Sequence, residues 1–317
     1  MAARTVIRLT TAELVVEVSP DRGGKITSLV HRASGREWLE EADAPLVGPP
    51  DASVGFDEGD LCGWDEMMPT IDPCEVDGEV APDHGELWRH PWEVVEVDGS
   101  VATLSARAPH WGLALTRTLR LERKSLRVDY HVVNEGPVDR PVLWAAHPLL
   151  RHRRGTRLSL EGDLVALSDD GGVTELGPWP GPVATVDDLA EGQCAKCFVR
   201  MHGSTPSATL LDRDGTWLSF TWAATDAPFL GVWLDQSAYA RHGVVALEPT
   251  NGAHDSLAVA LRASGLPTPW VLGRGGERRW TVVAEVGRSA SVPTRSRGPV
   301  LEGGSVKRGE HNEGPGG

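Results

Sequence analysis

Over much of the chain, apolar and polar positions alternate with a period of two. From Leu113 to Leu121, residues Leu113, Leu115, Leu119 and Leu121 fall on one side and Thr116, Thr118 and Arg120 on the other. This is the pattern of a half-buried strand, whose successive side chains point to opposite faces. It returns from Leu126 to Val133, with Val128, Tyr130 and Val132 opposing Arg127, Asp129 and His131. The short link through Arg123 and Lys124 predicts an antiparallel hairpin. Further strands are expected from Glu13 to Val18, Lys25 to Val30, Trp92 to Val97, Val101 to Arg107, Thr216 to Trp222, Val244 to Glu248 and Trp280 to Val286. Helical patterning is scarce. Its best candidate runs from Gly252 to Ala263, where Leu257, Val259, Ala260 and Leu261 form a short apolar stripe after a loop.

The 36 glycines and 23 prolines punctuate these runs instead of gathering into one linker. A single all-β domain over residues 1–288 is therefore expected. The polar, Gly-rich stretch 289–317 has too little apolar surface to offset its ordering entropy, and is expected to be a flexible tail.

Composition narrows the partners. A formal net charge of −14 repels phosphate backbones, and no run of Lys and Arg is dense enough to make a local basic footprint, so nucleic acid is not an expected partner. No segment approaches the roughly 18 apolar residues of a membrane span. The opening MAARTVIRLTTAEL lacks the apolar region of a secretory signal, which points to a cytoplasmic protein, a monomer or homodimer, acting on a small molecule. Four cysteines are too few for a disulfide framework in a chain this long. Cys194 and Cys197 have CxxC spacing, but Cys62 and Cys74 are twelve apart and make no second pair, so buried thiols are expected and no metal site.

Three segments place titratable residues among apolar or turn-forming neighbours: Asp83-His84-Gly85, Ala146-His147-Pro148 and Leu247-Glu248-Pro249. A carboxylate closing the run Val244 to Leu247 must emerge into a cleft or suffer a costly burial, and Pro249 is expected to stop the strand there. His147 follows the run Val142 to Ala146 and is expected where that strand meets a loop, while His84 precedes a glycine suited to a tight turn. Histidine with a carboxylate is common equipment for proton transfer near neutral pH. Most of the eleven histidines must still be surface or packing residues, and Glu248 has a structural alternative as an ion-pair partner, for instance of Arg241.

In their order these segments resemble those of galactose mutarotase and the related aldose 1-epimerases, whose chains carry an HG, then an HP, then an EP segment. The resemblance runs from about Thr10 to Val286. It includes Gly23-Gly24-Lys25-Ile26-Thr27-Ser28-Leu29 and Ser34-Gly35-Arg36-Glu37-Trp38, similar to the family's opening hairpin. It implies an antiparallel β-supersandwich with few short helices, a sugar cleft on one sheet and no cofactor. It further implies Glu248 as the base that takes the anomeric proton, His147 as the acid that protonates the ring oxygen, and His84 as a hydrogen-bond donor to that oxygen. A carboxylate and an imidazolium of opposite protonation state near pH 7 suit this reaction.

The chain also departs from that pattern. Gly63-Trp64-Asp65-Glu66 stands where many sugar epimerases place an arginine, so Trp64, Asp65 and Glu66 are candidate substrate contacts, with a capped turn as the alternative for Asp65. Arg89 follows His84 by five positions instead of four, and Trp88 is a candidate for the cleft wall. Trp233 and Asp235 precede the EP segment as candidate sugar contacts, Asp235 having a turn-capping alternative. The first reading is therefore a mutarotase. A tailoring enzyme that cyclises, dehydrates or isomerises a natural-product intermediate with the same acid/base residues is the second, and a non-catalytic sugar-binding module the third.

Overall fold

The computed structural model describes residues 6–42, 55–59 and 61–289. The tail expected to be flexible lies, from residue 290 on, outside the described residues. The alternating segments form two large antiparallel sheets. The larger has eleven strands. Across it run Ile7–Thr10, Leu14–Ser19, Lys25–His31, Trp64–Met67, Ala145–Arg151, Gly243–Thr250, Phe229–Gln236, Gln193–Met201, Gly162–Leu167 and Val173–Pro178, with the short Arg36–Glu37 paired to Lys25–His31. The second has eight strands in the order Arg157–Leu160, Ser207–Leu211, Thr216–Trp222, Glu277–Arg288, Ser125–Asn134, Leu113–Glu122, Val101–Ala108 and Glu93–Asp98. Every strand named in the first paragraph is present to within a few residues at its ends, and the expected hairpin closes through Arg123 and Lys124 with Glu122 opposite Ser125.

The apolar faces of the two sheets meet in one core. Alternation explains its composition: along Leu113–Glu122 the leucines are buried and the threonines half-buried. Tryptophan supplies much of the filling between the sheets. Trp144 packs edge-on to Tyr130 and Trp280, with ring centres 5.2 and 4.9 Å apart, and Trp64 meets Phe220 at 5.5 Å.

Two expectations change. The helix expected from Gly252 to Ala263 shrinks to one turn, Leu257–Ala260, capped by Ser256, because the residues before it are loop. Neither proline ends its strand: Pro148 lies inside Ala145–Arg151 and Pro249 inside Gly243–Thr250. Between these two neighbours the ladder pairs Ala145 with Thr250 and Leu149 with Ala246, and is interrupted at the positions between, where the prolines lack an N–H to donate.

Candidate active site

The register of the larger sheet assembles the site. Continuing the pairing of Ala145 with Thr250 and of Leu149 with Ala246 places His147 opposite Glu248 on adjacent strands. His147 is also paired with Asp65 on its other side, and Glu248 with Gly231. Residues directly opposite in an antiparallel pair share a face. Asp65, His147, Glu248 and Gly231 therefore form a row on one face, and His147 Nε2 comes within 3.8 Å of Glu248 Oε1.

His84 arrives from a loop. Gly85 passes so close to the strand-end Met68 that a Cβ there would lie 2.0 Å from the Met68 carbonyl oxygen, and its φ of +72° independently requires glycine. The backbone N–H of Glu86 donates to that same carbonyl and the N–H of His84 to Ile71 O, so the loop is pinned over the sheet. The His84 ring stacks on Phe56 at 4.0 Å, and its Nδ1 lies 2.8 Å from Asp83 Oδ1, leaving Nε2 as the ring nitrogen turned to other partners. The His84 and His147 ring centres are 5.6 Å apart.

These groups line a cleft of about 510 Å³ whose walls also carry Asp57, Asp72, Trp233, Tyr239, Lys196 and Asp255. Glu248 is fully buried, and both its oxygens accept from Lys196 Nζ, at 2.8 and 2.6 Å. Lys196 also reaches Asp255 Oδ1 at 3.1 Å. The structural partner of Glu248 is thus Lys196, on Gln193–Met201, and not Arg241. Burial pushes the Glu248 carboxyl above its usual range, Lys196 pulls it back, and Asp255 adds to the rise. Burial also holds the His147 imidazole well below its usual range, and the neighbouring His84, Lys196 and Lys25 act in the same direction. Burial thus works against the imidazolium expected of His147 near pH 7 and favours the neutral ring. Burial disfavours the Asp83 carboxylate, but the bond to and charge of His84, the Phe56 N–H and Arg89 together outweigh it and hold the group below the usual carboxylate range.

The remaining candidates divide. Trp233 lines the cleft. Asp235 lies behind it, fully buried, and accepts from the backbone N–H groups of Ala238, Tyr239 and Ala240, so it caps the turn that presents Tyr239 at the rim. Asp65 neighbours His147, but its carboxylate is ion-paired with the buried Lys25, and Trp64-Asp65-Glu66-Met67 is strand and not a capped turn. Trp64 and Glu66 point the other way, into the core between the sheets, where Glu66 accepts from Arg117, Tyr130 and Trp144. Trp88 is fully buried and meets Phe56 edge-on, with the Arg89 guanidinium over its ring, and neither Trp88 nor Arg89 lines the cleft. Cys194 and Cys197, three apart on one strand, project to opposite faces, and burial pushes the Cys197 thiol up to about 12.

Sequence patterning passed over Lys196, Asp255, Asp72, Phe56 and Tyr239. The available signal was a lysine inside the otherwise apolar run Cys194 to Val199. Gly231 is a further one: a Cβ there would lie 2.9 Å from Glu248 Oε2 and 3.3 Å from Glu248 Cβ. Gly231→Ala is expected to displace the Glu248 carboxylate from Lys196 and so move its titration midpoint up, read by NMR of 13C-labelled glutamate.

A large antiparallel supersandwich with two histidines and a carboxylate converging on one cleft defines a class of scaffold. Within that class the aldose 1-epimerase family model matches residues 5–250, and the chain belongs to this family of isomerase-type enzymes. Solved structures agree in fold. A galactose mutarotase related enzyme from Lactobacillus acidophilus is 15% identical with a TM-score of 0.67, over 92% of this chain and 100% of the other. A galactose mutarotase-like protein from Lactobacillus casei is 18% identical with a TM-score of 0.63, over 89% and 100%. An aldose epimerase homologue from C. elegans is 13% identical with a TM-score of 0.65, over 90% and 99%. At these identities the likeness concerns the fold. A search of curated proteins gives no match. Among the described residues no helix is long and apolar enough to cross a membrane.

Proposed function

We propose that this protein interconverts the α and β anomers of an aldose by acid/base ring opening, without a cofactor. The observation that carries the reading is the facing pair of Glu248 and His147, 3.8 Å apart at the floor of a sugar-sized cleft with His84 beside them. Glu248 takes the proton of the anomeric hydroxyl while protonated His147 delivers one to the ring oxygen. The bond from C1 to that oxygen breaks, a carbonyl forms at C1, and the released hydroxyl hydrogen-bonds with His84 Nε2. After rotation about the bond from C1 to C2, the same two protons return and close the other anomer.

The electrostatics set the pH dependence. The acid works only when protonated, so activity falls as pH rises through the His147 pKa, which is held below the ordinary imidazole range. The base works only when ionised, so activity falls as pH drops through the Glu248 pKa, which is raised. The two limits approach each other, and the kcat/KM profile is expected to be a narrow bell centred on the acid side of neutrality. A profile level from pH 6 to 8 is the outcome that removes the acid role from His147.

Among the described residues no arginine lines the cleft, and its carboxylates accept hydrogen bonds from hydroxyl or amine groups. That observation keeps the tailoring-enzyme reading as the second. NMR exchange spectroscopy on a panel of hexoses and pentoses separates the two. Faster anomer exchange with the wild type, lost in Glu248→Gln and His147→Asn, supports the mutarotase. No acceleration with any sugar of the panel overturns it. Calorimetric sugar binding without acceleration points to the binding module.

A further inference from the structure

The proposed base does not stand alone. Lys196 Nζ holds both oxygens of Glu248, at 2.8 and 2.6 Å, and lies 3.1 Å from Asp255 Oδ1. The Lys196 side chain is 23% exposed, so the ammonium reaches the cleft wall while its partner carboxylate is wholly covered. Asp255 is fixed independently of this contact: its backbone carbonyl accepts from the N–H groups of Ile71 and Asp72 and from Thr70 Oγ1. The three groups come from different elements and form a carboxylate–ammonium–carboxylate bridge.

We propose that Lys196 is a positioning residue that keeps Glu248 charged and aimed at substrate, and that Asp255 is the second counter-ion that keeps Lys196 paired when Glu248 takes up a proton. The inference rests on the reading of Glu248 as base. A buried carboxylate without a counter-charge lowers its energy by taking a proton, which would leave no base at neutral pH. Lys196 prevents this. A lone ammonium partner would create the opposite difficulty, because protonation of Glu248 would strand a buried cation and make proton uptake costly. Asp255 relieves that cost, since the ammonium keeps one carboxylate throughout the cycle.

The other charged or titratable groups around Glu248 are distributed over the neighbouring elements. His147 faces it from the adjacent strand at 3.8 Å, with Asp65 and Lys25 paired beyond it in the same row. Cys197 lies on the strand of Lys196, His84 with Asp83 on the HG loop, and Asp72 beside Asp255. Burial and the nearby Asp255 raise the Asp72 carboxyl as well, while for Lys196 burial acts downward but Asp255 and Glu248 together outweigh it and leave the ammonium above the ordinary lysine range, so it stays charged.

The test follows the Glu248 carboxyl carbon by NMR in protein carrying 13C-labelled glutamate, the signal being assigned by its loss in Glu248→Gln. Wild type, Lys196→Met, Lys196→Arg and Asp255→Asn are titrated, and the pH profile of anomer exchange is measured on each. Lys196→Met is expected to move the Glu248 midpoint up, Asp255→Asn to move it down, and Lys196→Arg to leave it near wild type. Turnover at pH 7 is expected to fall about tenfold or more in Lys196→Met, with the acid limb displaced in the direction of the midpoint, and to recover in Lys196→Arg. Midpoints that do not move, or that move the same way in the Met and Asn variants, overturn the proposal. Should Lys196→Met fail to fold, Asp255→Asn and Lys196→Arg still decide it by the direction of their shifts. Opposed shifts in a protein that accelerates no anomer exchange leave the hold on Glu248 standing and remove the mutarotase reading instead.

Discussion

Glu248→Gln is expected to slow anomer exchange by about 10² to 10⁴-fold, the range that positioned proton transfer contributes, with the fold and melting temperature little changed. Glutamine keeps the shape of the side chain but cannot remove the anomeric proton. Loss of a buried carboxylate often destabilises a protein because it strands the counter-ion. Here Lys196 retains Asp255 at 3.1 Å, and the amide oxygen of glutamine still accepts from it. Activity and stability should therefore separate. Optical-rotation decay measures the first and urea unfolding the second. Exchange within a few-fold of wild type assigns the base elsewhere, and a large loss of stability shows that Glu248 serves chiefly as a structural ion-pair partner.

The strands were legible because each large sheet has one face on a shared core, which stamps a period of two onto Leu113–Glu122 and Ser125–Asn134. His84, His147 and Glu248 were legible through the segments around them, although not for the reason their flanking prolines suggested. Pro148 and Pro249 lie within adjacent strands, in the interrupted stretch of the ladder that also holds the facing pair. Lys196 and Asp255 left no comparable trace, because their meeting with Glu248 depends on sheet order and loop closure, which local periodicity does not carry. The CxxC spacing around Lys196 drew attention to thiols that face opposite ways. Asp65 and Glu66 show the converse case. Adjacent in sequence, they occupy opposite faces of Trp64–Met67, and once the segment is a strand a shared role in substrate contact is geometrically closed to them.

Arg117 carries the largest expected effect on stability. It occupies the odd position in the leucine stripe of Leu113–Glu122, fully buried, where it donates to Glu66 Oε1 at 3.0 Å and to the Gly24 carbonyl oxygen. Glu66 also accepts from Tyr130 at 2.8 Å and Trp144 at 2.9 Å, so this polar cluster joins the two sheets. Arg117→Met removes the only cation bonded to Glu66 among the described residues and is expected to cost about 3 to 5 kcal/mol in urea unfolding, the usual penalty for orphaning one partner of a buried pair. The loss should depend on pH in a defined direction. Burial already raises the Glu66 carboxyl above its usual range, with Arg117 as the largest opposing influence. Without Arg117 that rise is greater and the folded state holds a proton that the unfolded chain releases. The cost is then smallest at low pH, where both states are protonated, and grows as pH rises through the range between the two pKa values. Replacing both charges, as Arg117→Met with Glu66→Leu, is expected to recover part of the loss, though not all, because Tyr130 and Trp144 then lose their acceptor. A single-mutant cost that stays below about 1 kcal/mol and is level from pH 5 to 8 would place the hold between the sheets in the surrounding aromatic packing instead.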